Sequence, residues 1–260
     1  MTRTALVTGA SGGIGLEFAE QLAKRGYQVT LVARGAAKLA EHVARLGTGH
    51  RFIAADLSVP ADVARVADDV RSTKYDLLVN NAGVGVYETF AEGPIEPTRA
   101  MMRLNMDSLV ELSHAFLQAA KRGDALLNVA STLALLAFPG AATYAATKAF
   151  VTAFSEGLWF ENKARGVYVG ALLPGVTKTN FHEAAGGATD AKPPDAISQT
   201  SAEVVNVAMK ALEARSSPTV VSGFANKAML FSTRLMPRKA MVNMMGGQAP
   251  APPKPPQLTS

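Results

Sequence analysis

The stretch Thr8-Gly-Ala-Ser-Gly-Gly-Ile-Gly15 (TGASGGIG) lies between the strand-like run 4–8 and the helix-like segment 13–25. Glycines at such a position let the chain turn sharply and bring its backbone close to a pyrophosphate, and the helix N-terminus then supplies free N–H groups. A glycine-rich stretch alone often forms only a flexible turn, but its place between a strand and a helix predicts a dinucleotide site. No GxxxxGK sequence followed by Ser or Thr is present, which excludes a P-loop.

Strand-like runs and helix-like segments alternate along the rest of the chain. The strand-like runs are residues 4–8, 27–33, 51–55, 76–80, 125–130 and 167–173, and the helix-like segments are residues 13–25, 35–46, 59–70, 95–121 and 143–164. Short apolar runs without alternation fit strands that are covered on both faces, and helices between them imply parallel crossovers. We therefore predict an α/β fold with a single doubly wound, Rossmann-like parallel sheet of about seven strands and helices on both faces, over residues 1–248.

Two regions depart from this alternation. Residues 182–200 are rich in Gly, Ala and Pro, so we predict a mobile loop or lid there, which would be the substrate loop. Residues 249–260 (APAPPKPPQLTS) are too rich in proline to pack, which predicts a disordered tail.

The composition limits the class of protein. With 48% hydrophobic and 18% charged residues in 260, the chain has ample material for a core, which excludes intrinsic disorder. The absence of cysteine excludes disulfides and thiol nucleophiles. The most apolar stretch, 126–138, contains polar residues and falls short of the roughly 20 residues that span a bilayer. Because a strand-like run begins almost at once, we expect no signal peptide and a soluble, cytoplasmic protein.

The net charge of +5 is concentrated at one end of the chain. Six cations and no acidic residue follow Glu213, so residues 1–214 carry a net charge of −1. A globally basic protein would suggest nucleic acid as a partner, whereas here the body is neutral. Nucleic-acid binding is therefore not expected. The four histidines are scattered without the spacing of metal ligands, so no metal is expected either.

The second strand-like run ends in Arg34, where an acidic residue would hold the 2′-hydroxyl of an adenosine ribose. A carboxylate would repel a 2′-phosphate, whereas a guanidinium binds one through paired, charge-assisted hydrogen bonds. The alternative is a solvated arginine that stacks on the adenine. Arg34 therefore favours NADP(H) over NAD(H) as the cofactor.

These residues, taken in order, resemble those of the one-domain short-chain dehydrogenases/reductases. The matching motifs are the TGASGGIG loop, Asp56-Leu57, the sequence Asn80-Asn81-Ala82-Gly83, Asn105, Ser131 placed 13 residues before Tyr144, the YxxxK pair Tyr144 and Lys148, and the segment Pro174-Gly-Val-Thr-Lys-Thr179. Each motif is weak alone, and their ordered occurrence over residues 4–180 carries the resemblance. Ala130 and Ala134 depart from the commoner Ser and Gly of the family, and neither change removes a reacting group.

The resemblance implies a role for each matching residue. The implied catalytic residues are Asn105, Ser131, Tyr144 and Lys148, with Asn105 holding a water in the proton path. The implied cofactor-binding residues are Gly9, Ser11, Gly12, Gly13, Ile14, Gly15, Arg34, Asp56, Leu57, Asn81, Ala82, Gly83, Tyr144, Lys148, Pro174, Gly175, Thr177 and Thr179.

The side chains themselves indicate how a proton could be transferred. Tyr144 and Lys148 are i, i+4 neighbours on one helix face. A nearby ammonium favours the phenolate, so we expect Lys148 to lower the pKa of Tyr144 from its ordinary value near ~10. Tyr144 would then protonate a carbonyl oxygen during reduction, and Ser131 would hydrogen-bond the same oxygen. The expected function is NADP(H)-dependent interconversion of a ketone or aldehyde and an alcohol.

The basic, methionine-rich segment 223–248 is open to three interpretations: a helix packed on the core or on a second subunit, a lid over an apolar substrate, or an amphipathic contact with a membrane surface. Together with the apolar residues after Ser131, it favours a hydrophobic carbonyl substrate. The segments 144–158 (YAATKAFVTAFSEGL) and 174–181 (PGVTKTNF), with this basic, methionine-rich end, resemble the subgroup of long-chain ketoacyl reductases and steroid dehydrogenases. The family resemblance implies a homodimer or homotetramer. Two rival functions are an NADP(H)-binding regulator and an epimerase or dehydratase that uses the cofactor transiently.

Overall fold

The computed structural model describes residues 2–179, 181 and 198–247. Its centre is a parallel sheet of seven strands in the order β3-β2-β1-β4-β5-β6-β7. The strands are β1 (Arg3–Thr8), β2 (Tyr27–Ala33), β3 (Arg51–Ala54), β4 (Leu77–Asn80), β5 (Ala125–Val129), β6 (Tyr168–Leu173) and β7 (Thr219–Val221). The predicted doubly wound α/β fold is confirmed. Most of the predicted loop and the whole proline-rich tail lie outside the described residues.

Helices cover both faces of this sheet. They are α1 (Gly13–Lys24), α2 (Ala36–Leu46), α3 (Pro60–Thr73), α4 (Ile95–Met102), α5 (Ser108–Ala119), α6 (Ala142–Asn162), α7 (Ser201–Ala214), α8 (Phe224–Arg234) and α9 (Arg238–Gly246). Neighbouring residues of β1 face opposite layers: Leu6 packs with α3 and α5, and Val7 packs with α1 and α7. Because successive side chains of a strand alternate between faces, a continuous apolar run is what a sheet covered on both sides requires.

The strand order reverses at β1, which lies between β2 and β4. Ligands of open α/β sheets bind beyond the carboxyl ends of the strands at such a reversal. Here the Thr8 side-chain oxygen accepts hydrogen bonds of 2.9 Å from the backbone nitrogens of Asn81 and Ala82. The glycine-rich loop after β1 and the loop after β4 are therefore held together at this edge.

The predicted helix 95–121 is interrupted. A π-helical turn, Arg103–Asp107, separates α4 from α5 and contains Asn105. Single π turns inside α-helices are frequent at functional sites. The periodicity of the sequence does not reveal this turn. The hydrogen bonds that accompany it join Asn105 to residues far away along the chain.

None of the helices in the described ranges is both long enough and apolar enough to cross a bilayer.

Candidate active site

A cavity of about 1210 Å³ opens at the carboxyl edge of the sheet. Among its lining residues are most of the predicted ones: Gly9, Ser11, Gly12, Gly13, Ile14, Asn81, Ala82, Gly83, Ser131, Tyr144, Lys148, Pro174, Gly175, Thr177 and Thr179. The remaining predicted residues, Gly15, Arg34, Asp56, Leu57 and Asn105, lie outside this lining. One cavity thus joins the glycine-rich loop to the Tyr–Lys pair.

The glycine-rich loop has no room for side chains. A Cβ atom on Gly15 would lie 2.4 Å from the carbonyl oxygen of Gly9 and 2.5 Å from the side-chain nitrogen of Asn81. Gly9 and Gly13 have φ angles of +67° and +55°, which L side chains rarely adopt. The loop leads into the N-terminus of α1, whose N-cap Gly12 offers no side-chain cap. Such a cradle of backbone at a helix N-terminus fits the pyrophosphate of a dinucleotide.

Asn81 acts on the loop through its side chain. Its amide nitrogen donates to the carbonyl oxygen of Thr8 at 2.9 Å and to that of Gly9 at 3.4 Å. The side chain therefore fixes the shape of the cradle, and the residue also lines the cavity.

The loop after β6 approaches the cradle from the other side. The methyl carbon of Thr179 would lie 3.0 Å from a Cβ atom on Gly13. Thr177 donates from its hydroxyl to the carbonyl oxygen of Gly175 at 3.0 Å. Gln199 pairs with this loop through backbone hydrogen bonds to Val176 and Lys178 at 2.9 and 2.8 Å. The segment Pro174–Thr179 is therefore held over the glycine-rich loop.

Three predicted catalytic residues meet at the opposite end of the cavity. Helix α6 carries Tyr144 and Lys148 into the interior, where they are only 5% and 4% exposed. The Lys148 Nζ atom lies 5.9 Å from the centre of the Tyr144 ring and donates to the carbonyl oxygen of Val129 at 3.0 Å. A side-chain hydrogen bond links Ser131 to Tyr144. The predicted hydroxyl, phenol and amine thus converge.

The pKa of Tyr144 departs from its ordinary value in the direction opposite to the sequence-based expectation. Burial raises it, the nearby Tyr87 raises it further, and the hydrogen bond with Ser131 partly opposes them. The expectation that Lys148 lowers this pKa is therefore wrong for the protein alone. The physical reason is desolvation, because burial removes water that would stabilise the phenolate.

Burial also acts on the lysine. It lowers the pKa of Lys148 to about 8, because the ammonium loses its hydration inside the protein. The same desolvation thus disfavours charge on both partners. At neutral pH the pair consists of a phenol and a lysine that is still mostly protonated.

The side chain of Asn105 is engaged with its surroundings. Its amide nitrogen donates to the Val84 carbonyl oxygen at 3.0 Å and to the Thr147 hydroxyl at 3.1 Å. Its amide oxygen accepts from the Val84 nitrogen at 3.0 Å. These bonds tie the π turn to the loop after β4 and to α6. The implied contact with a water stays a prediction, since the described contacts of this side chain are structural.

Gly83 provides space where these groups meet. A Cβ atom there would lie 3.1 Å from the Asn105 side-chain oxygen and 3.2 Å from Lys148 Nζ.

The predicted adenosine end is exposed and charged. Arg34 follows β2 and is exposed. The carboxylate of Asp56 accepts from the backbone nitrogen and hydroxyl of Ser58 at 2.9 and 2.7 Å, and these bonds, with the nearby Arg34 charge, lower its pKa. Leu57 is buried beneath them.

Lys38 is a candidate cofactor-binding residue that the sequence analysis missed. It lies on α2 and lines the cavity, and its Nζ atom would lie 4.0 Å from a Cβ atom on Gly12. Its place shortly after Arg34, at the start of the helix-like segment 35–46, is the signal in the sequence that could have indicated it.

Two further residues missed from the sequence border Tyr144. The Tyr87 ring meets the Tyr144 ring edge-on at 5.8 Å, and the Phe181 ring lies 5.7 Å away. Leu133 and Phe138 also line the cavity near this point. The space beside the phenol is therefore walled mainly by apolar and aromatic groups.

Among the described residues, no group of three or more His, Asp or Glu side chains could hold a metal ion.

The fold and the site together define a class: an α/β protein with a dinucleotide cradle at the switch point of its sheet and a buried Tyr–Lys pair beside it. A family model for short-chain dehydrogenases matches residues 3–189. The chain belongs to the short-chain dehydrogenase/reductase family.

Individual relatives agree with this assignment. The chain is 32% identical over 189 residues to the 3-oxoacyl-acyl-carrier-protein reductase FabG of Escherichia coli K12, covering 70% of this chain and 76% of that one. It is 32% identical over 180 residues to the very-long-chain 3-oxoacyl-CoA reductase of Rattus norvegicus, covering 65% and 58%. A solved short-chain dehydrogenase from Sphingobium yanoikuyae in complex with NADPH has a TM-score of 0.79 and 31% identity, covering 90% and 94%.

Proposed function

We propose that this protein is an NADP(H)-dependent oxidoreductase that interconverts a hydrophobic ketone or aldehyde and its alcohol, with Tyr144 as the general acid and base. The observation that carries the proposal is the convergence of Ser131, Tyr144 and Lys148 in the same cavity as the glycine-rich cradle. Proton transfer by a positioned side chain accounts for about 10²- to 10⁴-fold of a typical enzymatic rate.

The chain's own residues would bind the cofactor, orient the substrate and protonate the substrate oxygen. The backbone of the glycine-rich loop would hold the pyrophosphate, and Pro174–Thr179 would border the nicotinamide. A bound NADPH supplies the hydride. Ser131 would donate a hydrogen bond to the substrate oxygen, and Tyr144 would give that oxygen its proton. Lys148 would stabilise the negative charge that then develops on the phenol oxygen.

The raised pKa of Tyr144 bears on its protonation state at neutral pH. A phenol whose pKa lies above its ordinary value stays protonated at neutral pH, so it is available as a proton donor. Alcohol oxidation instead requires the phenolate, whose population rises with pH. We therefore expect the ratio of oxidation to reduction rates to increase as the pH is raised.

The choice of NADP(H) rests on the cations beside the adenosine end. Arg34 follows β2 where an acid would select NAD(H), and Lys38, in the first turn of α2, lines the cavity close to Gly12. A guanidinium and an ammonium both suit a 2′-phosphate. The Sphingobium relative was solved with NADPH, which agrees with this choice.

The substrate class rests on the walls of the cavity. The phenol is bordered by Tyr87, Leu133, Phe138 and Phe181. Leu133 and Phe138 also pack against a buried apolar cluster of Leu136, Leu230, Met241 and Met245. Burying each CH₂ group of a substrate contributes about 0.8 kcal/mol. Long or bulky carbonyl compounds are therefore expected to bind more tightly than small charged ones.

Two other functions make different predictions. A regulator that binds NADP(H) without chemistry would show no turnover with any carbonyl compound, and it would not require Tyr144. An epimerase or dehydratase that uses the cofactor transiently would convert substrate without net NADPH consumption.

The deciding experiment is a panel of ketones and aldehydes followed by NADPH absorbance. We expect oxidation of NADPH with hydrophobic carbonyl compounds, and loss of that signal in Tyr144→Phe. Turnover of small charged ketones alone would contradict the substrate class, and full activity of the variant would contradict the role of Tyr144.

We further propose a cytoplasmic homodimer or homotetramer that pairs through α4–α5 and α6, as the family resemblance implies. Light scattering of the full chain tests this, and a monomer would contradict it. A membrane contact of the basic C-terminal segment, the remaining predicted partner, would be a property of α8 and α9 and not of the catalytic residues.

A further inference from the structure

The outward side of α8 exposes large apolar side chains. Phe224, Phe231 and Leu235 are 87%, 67% and 77% exposed in the described part of the chain. With Ala228 they recur at i, i+4, i+7 and i+11, which places them along one face of the helix. Single exposed apolar residues are ordinary, but a continuous row of them marks an interaction surface.

Exposed cations accompany this apolar row in α8 and at the start of α9. Lys227 and Arg234 lie next to the apolar row at i+3 and i+10, and Arg238 and Lys239 begin α9. All four are exposed. Residues 223–247 contain no Asp or Glu, so no acid of this segment neutralises them. We call these four cations, together with Phe224, Phe231 and Leu235, the cationic stripe.

The inward side of the helix pair explains why the cationic stripe faces outward. Leu230, Met241 and Met245 are buried in a cluster with Leu136. The side chain of Asn226 donates to the carbonyl oxygen of Ser222 at 2.8 Å, which fixes the start of α8. Since one side of the helix pair is packed on the protein, the exposure of the other side is a property of the fold.

We propose that the cationic stripe binds the surface of an anionic lipid membrane. Phenylalanine and leucine side chains on one face of a helix insert into the interfacial region, and lysine and arginine are attracted by anionic headgroups. A second copy of this chain is a poorer occupant, because a two-fold axis would bring the same four cations close to one another. The proposal is independent of the proposed enzymatic function.

The test uses the full chain and sedimentation with vesicles. Vesicles of phosphatidylcholine with phosphatidylglycerol should bind the protein, and vesicles of phosphatidylcholine alone should bind it weakly. Binding should fall when the salt is raised from about 0.05 M to about 0.5 M, because salt screens exposed charges.

Two double variants separate the contributions. Lys227→Gln with Arg234→Gln should weaken binding about 25-fold, since each cation near an anionic surface contributes about fivefold. Phe224→Ser with Phe231→Ser should weaken it at least as much. The matched control is Phe90→Ser in the loop before α4, which is 63% exposed and lies outside the cationic stripe. All variants should keep their thermal unfolding midpoints, because none of the altered side chains is buried.

Three outcomes would overturn the proposal. The first is no sedimentation with anionic vesicles at low salt, and the second is equal loss of binding in Phe90→Ser. The third is a dimer that dissociates in Phe224→Ser with Phe231→Ser, which would assign the surface to a second copy of the chain. A carbonyl reductase that fails to bind vesicles would leave the enzymatic proposal intact.

Discussion

The catalytic end and the predicted adenosine end of the site differ in exposure. Tyr144 and Lys148 are almost fully buried, whereas Arg34 and Lys38 are exposed. Burial shifts the pKa values of the first pair, because the charged forms lose hydration. The exposed cations keep their hydration and are screened by salt. We therefore propose that the chemistry takes place at the buried end and that the exposed cations select the cofactor.

The largest effect should come from Tyr144→Phe. Removing only the hydroxyl should lower kcat for carbonyl reduction by about 10²- to 10⁴-fold, since the variant lacks the group proposed to donate the proton. The ring that meets Tyr87 and Phe181 is kept, so NADPH affinity should stay within about twofold. Steady-state kinetics and fluorescence titration measure the two quantities. Tyr27→Phe, on β2, is the control, and a loss of less than tenfold in Tyr144→Phe would refute the division between the two ends.

A substitution in the glycine-rich cradle should have the next largest effect, on both stability and NADPH affinity. Gly15→Ala places a Cβ atom 2.4 Å from the Gly9 carbonyl oxygen, so the loop must shift. We expect a loss of about 1–3 kcal/mol in stability and a clear fall in NADPH affinity. Gly157→Ala is the control, because a Cβ atom there meets nothing within 4 Å. If calorimetry gives Gly15→Ala and Gly157→Ala the same Tm, the loop accommodates the added Cβ atom and the prediction is wrong.

The pH dependence of reduction should report Lys148. Its pKa is lowered to about 8, so the ammonium form is lost as the pH rises through that value. If the ammonium stabilises the charge that develops on Tyr144, kcat/KM should be level below about pH 8 and then fall about tenfold per pH unit. In Lys148→Arg the descending limb should move to higher pH, because a guanidinium stays charged. If kcat/KM of Lys148→Arg falls at the same pH as in the unaltered protein, the titrating group is not Lys148.

The smallest effects are expected from substitutions of the exposed cations at the adenosine end, and they concern the preference for NADPH over NADH. Arg34→Asp should shift the ratio of kcat/KM for NADPH over NADH by about tenfold toward NADH, because a carboxylate repels the 2′-phosphate and accepts a ribose hydroxyl. Lys38→Ala should lower the same ratio by about threefold, and both effects should shrink at high salt. Arg71→Asp, on the exposed face of α3, is the control. An unchanged cofactor ratio in Arg34→Asp would refute the assignment of the 2′-phosphate site.

The parts of the site that depend on local spacing could be predicted from the sequence. The glycine-rich loop follows β1 directly, and Tyr144 and Lys148 share one helix face because they are four residues apart. The strands could be located because each is a short apolar run. β7, with only three residues, is too short to stand out in the sequence.

Contacts between distant residues could not be predicted in this way. The π turn at Asn105 accompanies hydrogen bonds to Val84 and Thr147, which are 21 and 42 residues away along the chain. The pKa of Tyr144 was predicted with the wrong sign, because the sequence shows the neighbouring lysine and not the burial or the contact with Tyr87. Lys38 was missed because its proximity to Gly12 depends on how α2 packs.

The amino-acid sequence alone therefore determined the alternation of strands and helices as far as β6, the place of the glycine-rich loop, and the four-residue spacing that puts Tyr144 and Lys148 on one helix face. Each of these depends on residues that are close in the chain. The tertiary structure decided which groups lose their water, which way the pKa values move and which face of α8 remains exposed. Those properties depend on packing between distant segments, and desolvation is set by everything that surrounds a group.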